Sequence, residues 1–129
     1  IGVPGGLILG LTGGIICYFS VDLIRSKLKI DDSLDVFAVH GVGGILGTLM
    51  VSFLALETFS GAGLAEGMSV NSQFLAQLFG VVLTVIWTLI FTYIALKITS
   101  LFTSLRVEEQ EEIEGLDLRS HGERAYYND

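Results

Sequence analysis

Hydrophobic and polar positions along this chain fall into long blocks rather than short alternations. The first apolar block runs from about Pro4 to Ile24 and contains one acid, Asp22, near its end. The second, Val36 to Leu56, is 21 residues with no formal charge apart from any on His40. The third starts at Phe74 and runs 23 uncharged residues to Leu96, with helix expected on to about residue 102. At about 1.5 Å per residue a helix of some 21 residues covers roughly 30 Å, the thickness of the hydrocarbon core. Each block is far too long for a strand and lacks strict alternation. Helices alone satisfy every backbone group within one spanning segment. The pattern predicts an all-α integral membrane fold with three transmembrane helices, at about 4–24, 36–56 and 74–102, and a tail over 103–129.

The block ends agree with helix boundaries. Pro4 suits a first helical turn, where its missing N–H costs nothing. Asp31, Asp32, Ser33 and Asp35 offer caps for the second helix, and their negative charge favours the positive end of its dipole. The stretch "GAGLAEGMSVNS" has the glycine and polar content of a loop joining spans two and three.

Composition supports the membrane assignment. Of 129 residues, 51% are hydrophobic and only 16% charged, with a mean hydropathy of +0.68. A soluble domain of this size needs more polar surface to cover its core. The chain starts at Ile1 with no charged stretch or cleavage site before its first apolar block, which reads as an interior segment of a longer protein rather than a signal peptide. Cys17 is the single cysteine, so no intrachain disulfide forms. The net charge is −7, and the stretch from Arg106 onward contributes −5 of it. Such an acidic tail argues against nucleic acid and against docking on anionic lipid.

Basic residues set the expected orientation. Arg25, Lys27 and Lys29 lie between spans one and two, while Lys97 and Arg106 flank the end of span three. The loop between spans two and three has Glu57 and Glu66 and neither Lys nor Arg. The positive-inside rule places that loop outside and the tail in the cytoplasm.

Glycines mark the expected helix contacts. Gly6, Gly10 and Gly14 form a ladder of small residues four apart, and Gly43 and Gly47 repeat that spacing with Gly44 beside them. In lipid, close backbone approach through such faces supplies the packing. The bulkier third span, with Phe79, Trp87, Phe91 and Tyr93, is expected to face lipid or another subunit.

His40 is the candidate for chemistry. By the i, i+4 rule Val36, His40, Gly44 and Gly47 fall on one helix face, so the ring is expected to project into protein or a cavity. Three readings stand beside one another. A neutral imidazole can brace two helices by one hydrogen bond. A metal site is disfavoured, since no second His or Cys stands at ligand spacing. A substrate path suits the ring as well, because neutral imidazole offers one donor and one acceptor nitrogen to a small polar solute. The acids carry a parallel choice: Asp31 reads as a cap, whereas Asp32 and Asp35 can be caps or can act on a cation at the cytoplasmic mouth of such a path.

At this point the residues resemble a known family. "DDSLDVFAVHGVGGILGTLMVSFLA" is similar to the tenth transmembrane segment of ammonium transporters of the Amt/Mep class. The loop motif "LAEG" (64–67) and the tail "EGLDLRSHGERAY" (114–126) are similar as well, and the likeness runs over essentially the whole chain. The DVFxVHGVGG core together with the GLDxxxHGExAY tail carries the specificity, and favours Amt/Mep over Rhesus-type relatives.

The resemblance implies an eleven-helix fold of two inverted five-helix repeats and a final long helix, with the three spans here as its last three. It implies a homotrimer with one pore per subunit, in the plasma membrane, taking up ammonium as a nitrogen source. His40 would match the second of two paired pore histidines, Val36 an apolar pore position, and Asp32 the acid preceding the pore histidine in each repeat. Ammonium would lose its hydration shell and proton outside, and ammonia would pass along the imidazoles. The tail would be a regulatory segment docked on the cytoplasmic face, where PII-type signalling proteins bind in bacteria and archaea. Gly115 and Gly122 would serve as hinges or tight turns, Asp117 or Glu123 would pair with basic loops, and His121 would be structural or at the surface. Arg119 stands where plant relatives often carry a phosphorylatable Thr, which argues against that switch. No enzyme activity, metal or cofactor is implied. A sensor of the same fold with little transport is the alternative; a proton-pumping subunit would need more intramembrane carboxylates or lysines.

Overall fold

A computed structural model of the chain describes residues 1–123, so the last residues of the tail motif, Arg124 to Tyr126, lie outside the described residues. Among the described residues the regular structure is all helical, without a strand. Helix α1 covers Val3–Asp22 and continues as a π-helical turn over Leu23–Lys27. A second π turn, Phe37–Gly41, leads into α2, Val42–Leu54. A 3-10 turn at Glu57–Phe59 begins the connection to α3, Val70–Thr99. Two short helices follow in the tail, α4 at Glu109–Glu114 and α5 at Leu116–His121.

Three of these helical stretches are long and apolar enough to cross a membrane: Val3–Lys27, Phe37–Leu54 and Val70–Thr99. Their limits differ from the sequence expectation for local reasons. The first gains a turn because Leu28 N–H bonds Leu23 O and Ile30 N–H bonds Ile24 O, at 2.9 and 3.1 Å. The third begins four residues early, at Val70 rather than Phe74. There Ser69 and Ser72 cap one another: Ser72 N–H donates to Ser69 Oγ at 3.1 Å and Ser69 N–H to Ser72 Oγ at 2.8 Å. This reciprocal capping satisfies donors that the polar "SVNS" leaves free of any apolar drive. Pro4 sits in the first turn of α1, as its geometry favours.

The chain divides within α3 into two compact units, Ile1–Ile86 and a second that begins at Trp87. In the first, α1 packs on α2. Gly5 is buried, and a Cβ there would stand 3.1 Å from the carbonyl oxygen of Leu54, itself buried. Further along, Thr12 Oγ1 bonds Ile8 O at 2.7 Å and lies 3.4 Å from Met50 Sδ. Near the other end a Cβ on Gly43 would meet Cys17 Sγ at 3.1 Å, and Cys17 Sγ–H approaches Val39 O at 3.7 Å. The Phe53 and Phe74 rings pack at 5.8 Å where the connection returns to α3. In the second unit Trp87 stacks on Phe91 at 4.2 Å and Lys97 Nζ lies 5.6 Å from the Tyr93 ring centre. No residue of α3 is buried within this chain.

Candidate functional site

The helix carrying His40 begins at Val36, and the four N–H groups at its start without intrahelical partners, those of residues 35–38, are all met by Asp32. Asp32 Oδ1 accepts from Val36 N–H at 2.8 Å, and Asp32 Oδ2 accepts from Phe37 and Ala38 N–H at 2.9 and 3.4 Å. The fourth, the N–H of Asp35 itself, donates to the backbone carbonyl of Asp32 at 3.1 Å. A helix N-terminus leaves these donors without intrahelical partners, and a carboxylate there also meets the positive end of the dipole. Asp35 occupies the capping position, yet its side chain does not cap. Its φ of +54° is left-handed, and its carboxylate instead faces Arg25, with Nη1 at 3.5 Å from Oδ1.

Directly after this start the ladder widens into the π turn Phe37–Gly41, closed by Val42 N–H on Phe37 O. His40 sits inside that turn. Single π turns interrupting α-helices are rare and concentrate at functional sites. The wider turn also changes the spacing assumed above: Val36 and His40 are separated by a turn that is not a plain α-helical one. Val36 and His40 are both exposed within this chain, whereas Ala38 between them is fully buried. Gly41 follows His40 in close contact with the Phe37 ring, which a Cβ would approach to 2.9 Å.

The glycines expected at helix contacts separate into two groups. Gly43 faces Cys17, so it marks the side of the helix that meets α1. Gly6, Gly10, Gly14, Gly44 and Gly47 would each have open space around an added Cβ within this chain. The contact of α1 with α2 runs instead through Gly5, Thr12 and Cys17. His40 and Gly44 therefore lie on surface that this chain leaves uncovered. Sequence reasoning missed Gly5, Gly41, the Arg25–Asp35 pair and both π turns. Only the crowding of "HGVGG" and the unusual density of acids before it signal them in the sequence.

The tail residues form a separate arrangement. Gly115 joins α4 to α5 with φ +95°, and a Cβ there would stand 2.9 Å from Asp117 Oδ1. Arg119 reaches back from α5 to Glu111 Oε1 at 3.5 Å and Glu114 Oε2 at 3.7 Å. Gly122 ends α5 in a left-handed turn at φ +68°, the usual demand for glycine after a helix. Asp117 lies in the first turn of α5, His121 in its last, and Glu123 N–H returns to Asp117 O at 3.3 Å. Among the described residues no three His, Cys, Asp or Glu side chains form a metal-binding group.

A sequence profile of the Ammonium Transporter Family matches residues 1–126, covering all three long apolar helices, the capped π turn and the tail glycines. The chain belongs to the ammonium transporter family. It is 43% identical over 126 residues to ammonium transporter Amt1 of Archaeoglobus fulgidus, covering 96% of this chain and 31% of that protein. It is similar at 38% identity to an ammonium transporter of Bacillus subtilis, over 93% of this chain and 30% of the relative. Ammonium transporter 1 of Dictyostelium discoideum is 40% identical, over 93% of this chain and 26% of its own length. The chain thus spans about a third or less of these ammonium transporters.

Proposed function

We propose that this chain supplies three of the membrane helices of an ammonium transporter, with His40 on the transport path. The observation that carries the reading is the placement of His40: an ionisable ring, exposed within this chain, in a π turn whose start Asp32 caps. Partnerless ionisable groups in a membrane are costly, so they face a cavity or another helix of the same protein. A neutral imidazole offers a donor and an acceptor to ammonia, whereas an unpaired ammonium ion in an apolar path costs several kcal/mol or more. The path therefore favours loss of a proton before the constriction and passage of ammonia along His40, opposite a second histidine elsewhere in the transporter. Val36 adds apolar lining one turn toward the cytoplasm. Asp32 serves as the cap that fixes the turn.

The complete protein is a trimer in the plasma membrane, with the tail in the cytoplasm, where it offers a docking face to a PII-type partner. The basic residues after spans one and three, and their absence from the intervening acidic loop, support this orientation. The test is His40→Ala in the full-length protein, reconstituted in proteoliposomes at matched abundance. Methylammonium uptake should fall about tenfold or more, the factor that loss of about 1.4 kcal/mol at the barrier gives. Unchanged uptake and unchanged charge per solute would remove His40 from the path. Saturable ammonium binding with negligible flux in the unaltered protein would instead favour a sensor.

A further inference from the structure

The caps on the His40 helix account for Asp32 but leave Asp35 unexplained. An aspartate at a capping position normally adopts extended backbone and accepts the N–H of the second or third helical residue through its carboxylate. Asp35 does neither. Its backbone is left-handed, a conformation that costs a non-glycine residue energy although aspartate tolerates it better than most. The turn aims its carboxylate away from the helix it starts. Oδ1 is buried and accepts no hydrogen bond from the described residues, while Arg25 Nη1 stands 3.5 Å from it.

Arg25 lies in the other π turn, Leu23–Lys27, which ends α1. The neighbouring Ile24 is 3% exposed, so the backbone carrying Arg25 is anchored by packing. On the far side, Asp35 O holds Val39 N–H at 2.8 Å, one residue before His40. Asp35 N–H donates to Asp32 O at 3.1 Å, placing the capping carboxylate of Asp32 under the same turn. A connected series of contacts thus runs from the end of α1, through Arg25 and Asp35, into the turn that carries the histidine.

We propose that Arg25 and Asp35 are positioning residues: their ion pair fixes the left-handed start of the second span and so sets the π turn that orients His40. The pair rests on the reading of His40 as a path residue. It touches no substrate and acts only through the backbone of residues 35–39. The pair draws Asp35 off the helix terminus and leaves that position to Asp32, so the two acids at one helix start have separate tasks.

The test uses the full-length protein with Arg25→Gln, Arg25→Lys, Asp35→Asn and the Gln/Asn double variant, beside His40→Ala. Asparagine keeps the tolerance for left-handed backbone and removes the charge. Two readouts are taken at matched membrane abundance: methylammonium uptake per transporter, and amide hydrogen exchange of the peptide spanning residues 34–43. Each single variant should lower maximal uptake about two- to five-fold, the range for a partly exposed ion pair, with little change in KM. The double variant should lose no more than either single one, and Arg25→Lys should recover most of the uptake. Exchange over residues 34–43 should quicken in the same variants while a peptide from α3 stays unchanged. Additive losses, or quickened exchange with full uptake, would overturn the positioning role. If His40→Ala leaves transport intact while exchange still responds to Arg25, the failure belongs to the path reading of His40. In that case the pair only braces two helix ends, and the proposal falls with the reading on which it rests.

Discussion

Asp32 and Asp35 stand three residues apart at one helix start, and their different backbone angles give them different chemistry. Asp32 reaches three amides, at 2.8, 2.9 and 3.4 Å, and is half-buried beside them. Loss of such a cap leaves donors unpaired at a helix end and typically costs about 1–2 kcal/mol. Asp32→Ala should therefore destabilise the full-length protein by about that amount, with Asp32→Asn intermediate because one of its two acceptors remains. Thermal unfolding in detergent, read at constant lipid content, checks the order Asp, Asn, Ala. Equal stability of all three would show that the cap is replaced by solvent at the membrane surface. Four polar residues in "DDSLD" are plausible caps on sequence grounds, and the pattern does not show which side chain reaches the helix start. The selection comes from the left-handed φ of Asp35 and from Arg25, ten residues earlier in sequence but adjacent to it in the fold.

At the scale of elements, the long spans are legible because their apolar lengths match a bilayer, whereas the π turns are not. A π turn needs one residue's worth of extra winding, and no composition rule announces it. The glycines show the same division. Gly6, Gly10 and Gly14 form the conspicuous ladder, but the close approach of α1 to α2 falls on Gly5, whose added Cβ would lie 3.1 Å from Leu54 O. Spacing identifies a face that permits contact and leaves open which neighbour uses it. In the tail, two effects hold α4 to α5 and their magnitudes differ. The pairs from Arg119 to Glu111 and Glu114 are long and largely exposed, so each contributes at most about 1 kcal/mol and less in salt. Gly115 instead holds a φ of +95° that an L side chain rarely adopts, with Asp117 Oδ1 2.9 Å from where a Cβ would stand. Gly115→Ala should thus loosen the α4–α5 connection more than Arg119→Gln does. Limited proteolysis or hydrogen exchange across residues 109–121 measures this, and a larger effect from Arg119→Gln would reverse the ranking.

For the whole molecule, the decisive fact is how much apolar surface the chain leaves uncovered. Leu7 and Leu11 on α1 are 71% and 68% exposed, and Leu89 on α3 is 66% exposed. Water cannot wet three such helices at acceptable cost, so lipid or the remaining helices of the transporter must cover them. The same surface separates what sequence and structure each reveal: His40 is exposed within this chain, while the caps and the π turn that carry it lie within the chain. Orientation is the property of the whole that this chain can test by itself. Its basic residues lie at the Arg25–Lys29 and Lys97–Arg106 ends and in the tail, and the only charges in the 57–69 connection are Glu57 and Glu66. Loops rich in Lys and Arg stay cytoplasmic because moving them outward opposes the membrane potential and the insertion machinery. With three crossings, the orientation proposed above has the connection outside and the tail inside. In full-length protein with no other reactive cysteine, including Cys17→Ser, a membrane-impermeant maleimide added to intact cells should label Glu66→Cys. Under the same conditions Thr103→Cys should react only after the membrane is permeabilised. Labelling of Thr103→Cys on intact cells, with Glu66→Cys protected, would invert the orientation and place Asp31, Asp32 and Asp35 on the outer face.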